Sequence, residues 1–472
     1  MTFDAIPFPE PYTDKPQDSN IEIVVLTKNA YQEAKLPKKH QDILKHRGFD
    51  GSDGQLTEII DKNTLVSLYV GAGEAISINH GAQANAHLHN TLSGEAIQSG
   101  TFALKEDILS KEELTKLALG WGFGTIKPEK HRKDRNDHAA PKLVLPSSLD
   151  MKEIHPLFQG VAITRALVNI PANKLGPEEL VAFASDMAAY TGAKLKTIKD
   201  HDLIKKNFPM IYAVGDSSHR RPALIDMRWP KKGAPKVTLV GKGVVFDTGG
   251  LDIKPPVAMR KMKKDMGGAA QTLGLAWALV KSGMNIDLRV LIPAVENAVS
   301  SEAFRPGDVF ETRKGLTVEI ADTDAEGRLV LSDALTYACE DKPDLLIDFA
   351  TLTGAARVAL GTRIGALFGN NDDLNHSLQT LSKSEEDPLW TLPLWQDYRE
   401  EMTSQVADME NIGSGKAGAI HGGLFLESFV EKEIDWLHLD VYAWEDSGRP
   451  AFAKGGVDQG LRAIYALLKQ RY

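Results

Sequence analysis

Ala321-Asp322-Thr323-Asp324-Ala325-Glu326-Gly327-Arg328-Leu329-Val330-Leu331 sets three carboxylates and a guanidinium within seven residues and then turns apolar. Leu331, Ala334, Leu335 and Ala338 recur at the i, i+3, i+4, i+7 spacing of one helix face, so the stretch reads as a charged loop feeding a buried helix. Ionised carboxylates carried unpaired into a low-dielectric site cost several kcal/mol each or take up protons. Such a loop needs partners, and a bound cation is the most economical one. A surface turn ahead of a helix uses the same residue types, because Asp and Glu are ordinary at helix N-termini. The rest of the chain decides between the two.

At 472 residues the chain exceeds the roughly 250–300 at which single cores stop growing, so two domains are expected. The patterning assigns a small N-terminal α/β domain to residues 1–150, a connecting helix to 151–172 and a larger domain to 173–472 with a central mixed sheet flanked by helices. A hydrophobic share of 42% describes a globular protein able to bury a sizeable core. The net charge of −9 speaks against a general nucleic-acid binder, which needs clustered Lys and Arg for phosphate. The single cysteine, Cys339, has no intrachain partner and reads as a small core residue of a reducing compartment. Met1 to Pro11 shows neither a basic n-region nor an apolar h-region, and no apolar run reaches membrane-span length, so a soluble cytoplasmic protein is expected.

Within the first segment, Ile21–Leu26 and Leu65–Val70 read as strands and Lys111–Leu119 as a helix. Gly71-Ala72-Gly73 lacks the third glycine of a dinucleotide fingerprint and reads as a turn. His80, His87 and His89 cluster without the further ligands a metal site wants, and are assigned to a polar surface. Lys130–Asp137, inside Pro128–Pro141, mixes its charges and reads as a solvated loop. Met151–Val168 is helical and stops before Pro171.

Beyond it strands and helices alternate. Strands are expected at Lys194–Ile198, Ala223–Trp229, Val237–Phe246, Asp287–Pro293, Leu345–Ala350 and Trp436–Val441, and helices at Pro177–Tyr190, Ala269–Lys281, Leu329–Glu340 and Gly423–Lys432. This is the grammar of a parallel or mixed sheet covered on both faces, where ligands gather at the carboxyl ends of strands.

A second charged cluster falls at such ends. Lys242 stands between two glycines in an apolar strand, an unlikely β choice that suggests a specific target for its amine. Asp247 closes that strand, Lys254 follows in Ile253-Lys254-Pro255, and Asp265 precedes Met266-Gly267-Gly268. Taken singly, Asp247 suits a turn, Asp265 a helix N-cap and Lys254 an exposed loop. Taken jointly with Asp324 and Glu326, they make four acids at element ends beside two lysines. Oxygen-rich sets suit hard or borderline divalent cations, and carboxylates shared between ions point to a two-metal centre.

In order and spacing, Gly241-Lys242-Gly243-Val244-Val245-Phe246-Asp247-Thr248-Gly249-Gly250, Ile253-Lys254-Pro255, Met262-Lys263-Lys264-Asp265-Met266-Gly267-Gly268-Ala269-Ala270, Asp322–Leu329 and Ala350-Thr351-Leu352-Thr353-Gly354-Ala355 resemble the leucyl (cytosol) aminopeptidase family of dinuclear metallopeptidases. The resemblance runs from roughly Asn169 to the C-terminus. It implies a catalytic larger domain that releases N-terminal residues, leucine or other apolar ones, from peptides. It implies a tight metal held by Lys242, Asp247, Asp265 and Glu326, and a looser one by Asp247, Asp324 and Glu326 with the Asp324 carbonyl. The ions would be Zn²⁺ or Mn²⁺, with Mg²⁺ or Co²⁺ also compatible. Lys242 would ligate as a neutral amine, its pKa depressed by the cations. Lys254 would stabilise the oxyanion, Arg328 would hold a bicarbonate that shuttles protons, and Met262 and Thr351 would line the substrate side-chain pocket.

The resemblance further implies a homo-hexamer built as a dimer of trimers. Two departures from the family pattern stand out: Asp322 stands where Asn is commonest, and Tyr442, Trp444 and Glu445 are bulky where relatives carry small residues and a methionine. The second leaves the preference for leucine open. The competing expectations are a dinuclear dipeptidase acting on substrates such as Cys-Gly, and a hexameric scaffold with a nucleic-acid role, which the net acidity disfavours.

Overall fold

A strand buried on both faces needs an unbroken apolar run, whereas an edge strand tolerates alternating charge. Both kinds occur here. The computed structural model describes residues 9–14, 20–92, 101–127 and 140–472. The expectations for Lys130–Asp137 and for the first eight residues lie outside these.

Two compact units are formed, one from residues 7–162 together with 446–454, the other chiefly from 163–445 and 455–472. The first unit carries a six-stranded sheet of β1 (Tyr12–Thr13), β2 (Asn20–Leu26), β3 (Leu56–Asp61), β4 (Thr64–Gly71), β5 (Thr101–Leu104) and β6 (Lys142–Val144), in the order β1-β6-β5-β2-β4-β3. All its pairings are parallel except β3 with β4. Helices α1 (Ile78–Thr91) and α2 (Lys111–Thr125) pack together on it. α2 runs six residues past its expected end, through Gly120, Gly122 and Gly124. Those glycines look like helix breakers, yet a Cβ on Gly120 would sit 1.9 Å from the Ile78 carbonyl oxygen, so the close helix contact requires one there.

The assignment of the histidines to a polar surface needs correction at His80. It is buried, with Nε2 2.9 Å from Asp53 Oδ1 and Nδ1 accepting the Ser77 N–H at 2.9 Å, which fixes the proton on Nε2. His87 pairs with Glu58 and His89 with Lys127, so the three rings take three different partners. A helix-period pattern places one position of the cluster against the core, which residue type alone does not reveal.

Helix α3 (Met151–Asn169) ends where Pro171 demands. The second unit is built on a nine-stranded mixed sheet: β7 (Lys194–Lys199), β8 (Ala223–Trp229), β9 (Lys236–Gly241), β10 (Gly243–Asp247), β11 (Asp287–Asn297), β12 (Leu345–Ala350), β13 (Gly365–Gly369), β14 (Leu389–Thr391) and β15 (Asp435–Asp440). Their order is β14-β13-β15-β12-β9-β11-β8-β7, with β10 on β11. The centre, β15-β12-β9-β11, is parallel, and every residue of β12 is buried. The edge strand β7, Lys-Leu-Lys-Thr-Ile-Lys, alternates and is guarded by its lysines. Helices α4 (Gly267–Lys281) and α5 (Glu326–Cys339) cover the sheet, and Leu329, Leu331, Ala334, Leu335 and Ala338 of α5 lie in one extensive core cluster.

Three expected elements differ. The strand foreseen over Val237–Phe246 is two, broken at Lys242, whose N–H bonds the Phe349 carbonyl while its own carbonyl receives Ala269 N–H. The helix expected at Gly423–Lys432 occupies Gly418–Glu427 instead, after which Phe429 reaches the same core from a turn. The last strand ends at Asp440, one residue short of its expected end; Ala443 then takes a left-handed φ of 56°, and Trp444–Glu445 pair separately with Gly455–Gly456. No helix among the described residues is long and apolar enough to cross a membrane.

Truncating Leu335 to Ala empties part of that cluster and is expected to lower unfolding free energy by about 2–5 kcal/mol. Val358→Ala, at a 90% exposed site, should shift it by less than about 0.5 kcal/mol, both read from urea denaturation.

Candidate metal centre

The parallel strands β9, β12 and β15 all end on one side of the sheet, and the charged residues found in the sequence collect there. β10 ends in Asp247, the chain break after β9 carries Lys242, α4 opens just after Asp265, and α5 opens on Glu326. A Cβ on Gly268 would lie 2.0 Å from the Phe349 carbonyl oxygen, so the start of α4 can press onto β12 only as glycine. That contact brings Asp265 to the strand ends.

Lys242 Nζ lies 2.7 Å from Asp265 Oδ2 and 2.8 Å from Glu326 Oε1, and donates to the Thr351 carbonyl at 3.2 Å. Lys254 Nζ lies 2.8 Å from Asp247 Oδ2 and also pairs with Asp324 Oδ1. One oxygen each from Asp247, Asp265 and Glu326 falls within 4.8 Å of the others, and all three residues are buried. The alternative roles weighed from sequence divide. Asp247 Oδ1 does accept Gly249 N–H, as a turn former would, while Oδ2 faces the lysine. Asp265 leaves the helix uncapped and turns to Lys242, and Lys254 is largely buried, not an exposed loop charge.

The electrostatics express a shortage of positive charge. Burial would strip Lys242 of its proton, but Asp265, Glu326 and Asp247 outweigh it and hold the ammonium well above its usual range. Lys254 is raised likewise against burial by Asp247 and Glu326. Asp265, despite burial, is driven to about 2 by Lys242. Glu326 is pushed well up by burial and then by Asp247, and Asp324 up to about 7 by the same two causes. Four acids thus share two lysines, and two of the four cannot comfortably ionise. Divalent cations would relieve this and reverse the field on Lys242, which the protein's own groups keep charged. The cradle fits such ions, since buried Glu326 Oε2 has no hydrogen-bond partner and three carboxylates converge with a lysine amine.

Several holding residues escape sequence reasoning. Asn297 Nδ2 donates to Asp247 Oδ1 at 2.8 Å and to the Thr323 carbonyl at 3.2 Å. Asn411, fully buried, accepts Ala321 N–H and Asp322 N–H, and its carbonyl receives Arg328 Nη1 at 2.7 Å. Nothing in the sequence marks either asparagine, since each lies tens of residues from what it holds. The departure at Asp322 is absorbed locally, its Oδ1 accepting Asp324 N–H at 2.7 Å.

Arg328 is buried, with Nε lacking a hydrogen-bond partner; burial lowers its pKa to about 10 against the pull of Asp440. Thr351 is tied to the centre through its hydroxyl, which donates to Asp265 Oδ1 at 2.8 Å, and Met262 is buried at the start of the short turn before Asp265. The Tyr442 ring lies 5.0 Å from Lys264 Nζ and 5.1 Å from the Arg357 guanidinium, the Trp444 ring 5.4 Å from Lys263 Nζ, and Glu445 pairs with Arg363 at 3.2 Å. Cys339 is buried and its thiol pushed up to about 11 by burial, an inert core residue. A cavity of about 620 Å³ in the first unit is bordered by Lys28, Asp53, His80, Gln83 and Arg449 and by none of these acids.

A family model described as the catalytic domain of the cytosol aminopeptidase family matches residues 162–465. The chain is 42% identical over 316 residues to a probable cytosol aminopeptidase of Syntrophotalea carbinolica, a match spanning 66% of this chain and 63% of that relative's length. Among solved structures it is similar to the cytosol aminopeptidase of Coxiella burnetii, with a TM-score of 0.89, 40% identity and coverage of 98% and 99% of the two chains. It is also similar to the bottromycin maturation enzyme BotP in complex with Mn, with a TM-score of 0.84, 29% identity and coverage of 96% and 99%. These likenesses and the buried acid cluster define a peptidase of the metal-dependent class. The chain belongs to the cytosol aminopeptidase family.

Asn297→Ala frees Asp247 to rotate and is expected to weaken divalent-cation binding roughly 10–100-fold at unchanged circular dichroism. Calorimetric titration with Mn²⁺ checks this, and an unchanged affinity would show the bond to be idle.

Proposed function

We propose that this protein is a two-metal aminopeptidase that removes N-terminal residues from peptides. The observation that carries the proposal is the buried meeting of Lys242, Asp247, Asp265 and Glu326 at the strand ends, with Asp324 on the same cluster through Lys254. Lys242, Asp247, Asp265 and Glu326 would hold one ion; Asp247, Asp324 and Glu326, with the Asp324 carbonyl, would hold the second. When bound, such a pair supplies Lewis acidity and a water acidic enough to give hydroxide near neutral pH.

The chain's own groups do the rest. Lys254, held at the rim by Asp247 and Asp324, places a fixed positive charge where the scissile carbonyl oxygen becomes an oxyanion. Arg328 is oriented by the Asn411 carbonyl and keeps a buried Nε–H undirected, a donor suited to a small planar anion. Bicarbonate is the anion proposed there, as a proton carrier. Asp324 lends negative charge at the more open edge of the cluster, where a free amino terminus can be met and an internal peptide nitrogen cannot.

Zn²⁺ or Mn²⁺ is proposed for the pair; the likeness to BotP, solved in complex with Mn, supports Mn²⁺, and Mg²⁺ and Co²⁺ also suit oxygen-rich ligands. Met262 and Thr351 are proposed to border the pocket for the first side chain, leucine or another apolar residue. The catalytic unit is proposed to work in a cytoplasmic homo-hexamer, with light scattering expected to report six chains.

Lys242→Ala and Glu326→Ala are each expected to lower kcat/KM for leucyl amides by more than about a thousandfold while leaving the circular dichroism intact, a loss on the order of 4 kcal/mol. Full activity in either variant would refute the assignment. Chelation is expected to abolish turnover and re-addition of metal to restore it, with two ions counted per chain at saturation; a fully active chelated enzyme would exclude the proposal. A panel of aminoacyl amides and dipeptides ranked by kcat/KM reads the side-chain preference.

A further inference from the structure

The carboxylate of Asp440 belongs to none of the roles above, yet it holds the segment on which two of them depend. β15 ends at Asp440, in parallel register with Ala350 at the end of β12. Past Ala350 the chain leaves the sheet, and the N–H groups of Leu352 and Thr353 need new acceptors in a buried region. Asp440 Oδ1 accepts Leu352 N–H at 2.9 Å and Thr353 N–H at 3.2 Å, and Oδ2 accepts Thr353 N–H at 3.1 Å and the Thr353 hydroxyl at 2.6 Å. Only 3% of the residue is exposed. A carboxylate satisfied by convergent donors holds its geometry tightly, because each bond removes a way for the turn to relax.

The turn so held presents Thr351 to the metal cradle from both ends of that residue. Its carbonyl accepts Lys242 Nζ at 3.2 Å, and its hydroxyl donates to the Asp265 carbonyl at 3.0 Å and to Asp265 Oδ1 at 2.8 Å. Beneath it, Asp348 accepts Trp436 Nε1–H at 2.8 Å and meets His438 Nδ1 at 2.5 Å, so β12 and β15 are cross-tied two and four residues below the turn. One carboxylate is therefore linked through one turn to Lys242 and Asp265.

We propose that Asp440 is a positioning residue that fixes the 351–353 turn and thereby sets the metal affinity and the turnover of the site. The inference rests on the two-metal aminopeptidase function proposed above. Asp440→Asn is the informative variant, since it keeps the shape and one accepting oxygen but replaces the other with an amide that cannot accept the Thr353 hydroxyl.

In the full-length protein, Asp440→Asn is expected to weaken Mn²⁺ binding at the tighter site about tenfold or more and to lower metal-saturated kcat about tenfold, with KM changed less than about threefold. Thr351→Val, which removes only the hydroxyl on Asp265, should reproduce the loss of metal affinity, and the double variant should lose less than the sum of the two. The Thr351→Val measurement stands even where Asp440→Asn fails to fold. Wild-type metal affinity and kcat in a folded Asp440→Asn protein, or wild-type affinity in Thr351→Val, would overturn the inference alone. A wild-type chain that binds no divalent metal would overturn the functional proposal and this inference with it.

Discussion

Everything in the catalytic unit answers to one electrostatic constraint: more negative charge is buried at the strand ends than the protein's own cations neutralise. Asp247, Asp265, Asp324 and Glu326 share Lys242 and Lys254, and the surplus appears as the raised proton affinity of Glu326 and Asp324. Desolvating that much charge is unfavourable to folding, so the surrounding structure must hold it in place. The same deficit suits the cluster to the divalent cations proposed for it. Instability built into a site and compensated elsewhere is the usual physical form of a functional centre.

The compensation is visible in what surrounds the acids. Asn297 and Asn411, both fully buried, commit their amides to Asp247 and to the backbone of the acidic loop. Thr323 and Asp252 lock the loops to one another: Asp252 Oδ2 accepts Thr323 N–H, and Thr323 Oγ1 accepts Asp252 N–H. Close contact between α4 and β12, possible only at glycine, carries Asp265 into range. Each device acts on position, leaving the charge itself free for chemistry.

The first unit follows a different physical logic. His80, His87 and His89 are consumed in separate pairs with Asp53, Glu58 and Lys127, and its helices meet at glycine contacts. It is a parallel-rich sheet with one antiparallel edge strand, and its cavity is lined by charges of both signs. None of the acids of the candidate metal centre comes from it.

Periodicity and residue chemistry were enough to read from the chain itself the mixed α/β class, the alternation of strands and helices after residue 190, and the candidacy of Lys242, Asp247, Asp265, Asp324 and Glu326. These are local signals: apolar spacing reports which face is buried, and a lysine between glycines or an acid at a strand end is anomalous on its own. The continuation of α2 through three glycines and the break of the strand at Lys242 were not legible there. Each depends on a neighbour far away in the chain, the Ile78 carbonyl in the first case and the Phe349 carbonyl in the second. Tertiary structure alone decided that Asn297, Asn411 and Asp440 serve the centre, because a hydrogen bond across fifty or ninety residues leaves no periodic trace in sequence and exists only once the sheet has aligned its strand ends.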